Sequence, residues 1–138
     1  MLAFPLLIAM TYAPAAPAWS ATTLEAATTP EQKQVLAEAK PLTITGEVVD
    51  VSCYTQLGKR GAAHKECGAK CVLAGAPVGI VTADNTLYIL VPEPHHPRRD
   101  GQVSLAKEYA AKMATTVTVS GMASQHGGIH TLFVAPGS

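Results

Sequence analysis

The sequence predicts a mainly β domain carrying a few helices, folded as a small five-stranded barrel, and three observations predict it. Five short segments rich in Val, Ile, Leu and Thr alternate in polarity, as half-buried strands do. Two stretches of helix formers interrupt them, one after the first strand and one between the third and fourth. Gly, Pro, Asn and Asp mark the joins.

The elements follow in order along 138 residues, a length with room for one domain. Residues 1–20 are assigned to a signal peptide. The first charged side chain is Glu25, and the apolar run Leu2 to Met10 is followed by small residues and prolines. Ala16-Pro17-Ala18 and Ala18-Trp19-Ser20 both satisfy the small-x-small cleavage rule, although the usual Lys or Arg before the apolar run is missing. A periplasmic or secreted location is the expectation. The run is far shorter than the about 20 residues of a membrane span, so no span is expected. Residues 21–41 form a polar segment with one short surface helix over Pro30–Lys40, where Thr29 is the N-cap, Pro30 the first helical residue and Gln32 the capping-box partner.

The single domain is assigned to residues 42–138. Leu42 to Cys53 reads as a long strand. Leu42, Ile44 and Val48 share one face, while Val49, Val51 and Cys53 share the other, and the change of parity near Gly46 predicts a bulge or bend. Ala62 to Ala74 reads as a cysteine-bearing helix stopped by Gly75 and Pro77. Gly68 inside it costs about 1 kcal/mol relative to Ala. Val78–Thr82 and Thr86–Pro92 read as a hairpin turning at Asp84-Asn85. Val103–Met113 reads as an amphipathic helix, and Thr115–Ala123 and Ile129–Ala135 as the last two strands. Five strands with a helix between the third and fourth is the order of the OB-fold, a partly open Greek-key barrel. Another small barrel or sandwich with one packed helix is the alternative.

Composition excludes some functions. Ten basic and ten acidic residues leave a formal charge of zero, with no basic patch for a nucleic acid. After residue 20 the aromatics are Tyr54, Tyr88, Tyr109 and Phe133, too few for a base-stacking platform. No Ser-His-Asp order, carboxylate pair or phosphate loop is readable, and no enzymatic activity is assigned. No C-x-x-C-H occurs, so haem attachment is not indicated.

Three cysteines cannot all pair within one chain. His64, Cys67 and Cys71 fall at i, i+3 and i+7, within about a 60° sector of a helix. Ten residues separate Cys53 from His64, short enough to bring Cys53 over that face. Cys53, His64, Cys67 and Cys71 would then be four ligands for Zn²⁺, or two or three thiolates for Cu⁺. Tyr54 and Lys70 are candidate supporting groups behind them. A Cys67–Cys71 disulfide inside the helix would be strained, because Cβ atoms at i and i+4 stand about 5–6 Å apart and a disulfide needs about 3.5–4.5 Å. A bridge from Cys53 to either is easier. The competing readings are therefore a thiol–disulfide redox protein, and a disulfide-stapled interaction domain that meets a protein partner and holds no metal. The odd thiol could also link a dimer. Weaker metal candidates are His95 and His96 in the loop after the third strand, and His126 and His130 around a Gly-Gly turn. Arg98 and Arg99 could meet a small anion, and Met113 and Met122 read as core.

The runs TGEVVDVSCY, HKECGAKC and GAPVGIVTADNTLYILV resemble a group of exported bacterial proteins in which a strand ending in Asp-x-x-Cys precedes an H-x-x-C-x-x-x-C segment. The likeness covers about Thr45 to Val91, with a weaker echo in VTVSGMASQHGGIHTLFV. It implies an OB-like exported domain and supplies no activity.

Overall fold

The computed structural model describes residues 13–95 and 104–137. Five strands, β1 (Lys40–Asp50), β2 (Val78–Thr82), β3 (Leu87–Pro92), β4 (Thr116–Ser124) and β5 (Thr131–Val134), close into a barrel in the order β1-β2-β3-β5-β4. Every neighbouring pair is antiparallel except β3 and β5, which run parallel. This is a small OB-like barrel, as the order of elements predicts.

β1 closes the barrel because it pairs twice. Lys40 to Glu47 lie against β4, and Gly46 to Asp50 lie against β2, so the strand changes neighbour at Gly46–Glu47. The bend expected near Gly46 is there, and no bulge interrupts either register. Gly46 is required by close approach: a Cβ on it would overlap the Val81 carbonyl and stand 2.8 Å from Ile80 Cγ2. Ile44 and Val48 point into the core with Ile80, Leu90, Val119, Leu132 and Val134.

Two helices pack beside each other against this core. α5 (Ala106–Ala111) and the turn after it contribute Tyr109 and Met113, while α4 (Lys65–Leu73) contributes Val72, all about 1% exposed. Met113 and Met122 are buried, in agreement with their assignment to the core. Gly68 sits where α4 meets Met113. A Cβ there would stand 2.9 Å from Met113 Sδ and 3.3 Å from His64 Cδ2, so the helix-weakening glycine is what lets α4 approach.

Three expectations are corrected. The alternation of Val49, Val51 and Cys53 predicts a strand to Cys53, but β1 ends at Asp50 and a helix, α3 (Val51–Leu57), begins at once. Asp50 causes the switch: its Oδ1 accepts the amides of Ser52 (2.9 Å) and Cys53 (3.3 Å), an N-cap that alternation cannot reveal. The predicted helix over Ala62–Ala74 opens instead as a 3₁₀ turn, Ala62–His64, before α4. Ala21–Ala26, expected to be a ragged start, forms a short helix, α1, capped by Ser20. α2 (Pro30–Glu38) has the expected Thr29–Gln32 capping box.

The apolar run Leu2–Met10 lies outside the described residues. Residues after it dock on the barrel: the Trp19 ring meets Phe133 edge-on at 5.2 Å, its Nε1 donates to the Leu36 carbonyl, and the Ser20 amide donates to Glu93 Oε1 at 2.7 Å. Among the described residues no helix is long and apolar enough to cross a membrane.

Candidate metal centre

The end of β1 and the connection from it to β2 carry every member of the donor group. Asp50 ends β1 and is 0% exposed. While its Oδ1 caps α3, its Oδ2 faces His64 Nε2 at 3.4 Å. Cys53 stands on the first turn of α3, three residues after the cap. The chain leaves α3 through Gly58 in a left-handed conformation, then is tied back to β1. Arg60 pairs with Glu47 at 2.8 Å, and the Gly61 amide donates to the same carboxylate at 2.5 Å. That tether sets down the 3₁₀ turn whose last residue, His64, is 8% exposed and turned toward Asp50.

One ligand atom from each of Asp50, Cys53 and His64 lies within 4.8 Å of the others, a group that could hold a metal ion. Cys71, half-buried on α4, lies outside this group of three but close enough to Cys53 on one side and Cys67 on the other for their charges to be felt. Cys67 is exposed. All three cysteines are free thiols. Of the four residues singled out in the sequence, Cys53 and His64 therefore come together, Cys71 adjoins them, and Cys67 stands one helical turn further out.

The electrostatics is that of a crowded acidic pocket. Burial pushes the Asp50 carboxyl up, but hydrogen bonds from the Cys53 thiol and amide, the His64 ring and the Ser52 amide outweigh it and leave Asp50 below its ordinary range. Cys53 goes the other way. Its bond to the Asp50 carboxylate, burial, and the nearby charges of Asp50 and Cys71 push its thiol up to about 11. Burial first, then Asp50 and Cys67, raise Cys71 as well. A thiol held protonated by a neighbouring carboxylate is a poor nucleophile. A cation placed among the three donors reverses that logic, since a coordinating thiol is deprotonated outright.

The sequence reading missed Asp50, the most buried donor. Its signal was present as the Asp of the Asp-x-x-Cys motif, hidden by the strand assigned across it. Tyr54 is half-buried on α3 and Lys70 is exposed, and neither belongs to the donor group. His95 and His126 are exposed, while His130 is half-buried with its ring edge-on to Tyr88 at 5.3 Å. None of these three joins a group of three or more donors among the described residues. His96, Arg98 and Arg99 lie outside the described residues. The chain matches no protein-family model, no curated protein and no solved structure.

Proposed function

We propose that this chain is a small exported metal-binding module that holds a thiophilic ion on Asp50, Cys53 and His64, with Cys71 as fourth ligand. The separation of Asp50 Oδ2 from His64 Nε2 carries the reading. At 3.4 Å it is long for a charge-assisted hydrogen bond, which runs at about 2.7–2.9 Å. Two ligands at about 2.05 Å from one tetrahedral zinc ion stand about 3.35 Å apart, and a thiolate at about 2.3 Å stands about 3.6 Å from each. That spacing, with all three donor atoms within 4.8 Å of one another, supports an ion held among them.

The donor set also favours a metal. One carboxylate, one imidazole and one or two thiolates make a mixed set suited to Zn²⁺, whereas Cu⁺ would draw on Cys53 and Cys71 alone. Zinc is thus the first choice and copper the second. The ion pins α3 and the turn before α4 to the end of β1, so the site contributes to folding as well as to carriage. Export is supported by the charge-free, apolar N-terminal stretch and its small-residue cleavage sites. The contact between Cys53 and Cys71 keeps a thiol–disulfide protein as the second reading.

Elemental analysis with a free-thiol count tests both, on protein purified from its own compartment without chelator. The expected result is about one equivalent of zinc or copper, lost in Asp50→Asn and in Cys53→Ser. Metal-free protein that takes up neither ion and contains one free thiol overturns the metal reading in favour of a disulfide.

A further inference from the structure

Resting on the metal-binding reading above, we infer that Cys67 and Cys71 are a ligand-exchange ladder through which the buried site receives its ion from, or yields it to, a thiolate-bearing partner complex in solvent.

Three observations carry this. The donors are graded in depth: Asp50 is 0% and His64 8% exposed, Cys53 and Cys71 are half-buried, and Cys67 is exposed. They are also contiguous. Cys71 interacts with Cys53, and Cys67 with Cys71. Finally, Cys67 and Cys71 sit at i and i+4 on α4, where side chains are neighbours on one face at about 5–6 Å. Cys67 fills no core position, so packing does not account for it. Cys67 is the thiol a partner meets first.

A buried ion held by four ligands dissociates slowly, because several bonds must break before solvent can replace them. Exchange through an incoming thiolate avoids that route. As the Cys67 sulfur bonds to the metal, its proton passes through solvent to the departing thiolate of the partner, whose own bond to the metal breaks. Cys71 and then Cys53 displace partner thiolates in the same way, each thiol releasing one proton to a leaving thiolate. His64 displaces the last partner thiolate, which takes its proton from solvent, and Asp50 displaces the Cys67 thiolate, which is reprotonated from solvent and left free. The metal keeps its oxidation state and no oxidant is needed. Release runs the same steps backwards.

The test uses the full chain and zinc as the probe. Equilibrium affinity is measured against a chromophoric chelator, and the rate of zinc transfer from a zinc–dithiothreitol complex by stopped flow. For Cys67→Ser the expected result is a Kd within about threefold of the unaltered protein, because the buried ligands are intact. Transfer from the thiolate complex is expected to slow by about tenfold or more. Cys67→Ala should repeat it. An unchanged rate in both variants overturns the ladder. So does a loss of affinity as large as that of Cys53→Ser, which would make Cys67 a ligand in its own right. If the unaltered protein takes up no zinc from either source, the site reading fails, and the ladder falls with it.

Discussion

Replacing Asp50 by Asn separates the two jobs assigned to this carboxylate. Its Oδ1 caps α3, and Asn caps about as well as Asp, so α3 should persist. Its Oδ2 faces His64, and there the variant supplies no anionic oxygen. Losing a hydrogen bond to a charged group costs about 1.5–3 kcal/mol, and at 3.4 Å the lower end applies. The apo protein should lose about 1–2 kcal/mol in urea unfolding. Asp50→Ala should lose about 1 kcal/mol more, because the Ser52 and Cys53 amides are then uncapped as well. The larger change is in binding. An outer hydrogen bond to a metal ligand is worth about 10–100-fold in affinity, and a ligand itself at least the upper figure. At zinc one hundred times the unaltered Kd, the intact protein gains about 2.7 kcal/mol of stability, whereas a variant weakened about 100-fold gains about 0.4 kcal/mol. Urea melts with and without zinc read both numbers. If Asp50→Asn gains as much from zinc as the intact protein does, Asp50 is a helix cap alone and the proposed ligand set is wrong.

Other outcomes follow from the same structure. Stability of the apo protein should be lost as pH rises from about 9 toward about 11, since Cys53 is a thiol in the folded state over a range where the unfolded chain ionises. Urea midpoints across that range, with Cys53→Ser flattening the fall, check it. The acid limb has the opposite sign. Asp50 titrates below its ordinary 3.8 when folded, so its contribution is full above that value and is lost as pH falls through the lower folded one. Gly46→Ala should cost about 2–3 kcal/mol in urea unfolding by forcing β2 away from β1. On the export reading proposed above, intact-mass analysis should show a mature protein beginning at Trp19 and not after residue 20, because cleavage after Ser20 would discard the Trp19–Phe133 contact and the cap of α1.

Most of the barrel was legible in the sequence, because strands half-buried in a small barrel must alternate and its turns need particular residues. β2 runs over Val78–Thr82, as its apolar run and the Asp84-Asn85 turn require, and Asn85 takes the left-handed conformation that a hairpin turn demands. The Thr29–Gln32 capping box was equally plain. The site was half legible. Composition and spacing point to Cys53 and His64, but the orientation of His64 depends on a 3₁₀ turn tethered by Glu47, a contact fourteen residues back along the chain. Helical periodicity places His64 and Cys67 on one face, yet one is buried and the other exposed, because that turn rotates His64 out of the helix frame. Asp50 was obscured by the β-branched run around it, which continues a strand pattern into residues that are helical.

Asp50 closes β1, and Cys53, His64 and Cys71 all belong to the single connection from β1 to β2. Such a cassette is portable. Any five-stranded barrel that ends its first strand in a carboxylate, and presents a side chain such as Met113 for the graft's own Gly68 to pack against, could accept the same stretch. The opposite rim, where the turns after β2 and β4 lie, stays free to diverge without disturbing any of these four side chains.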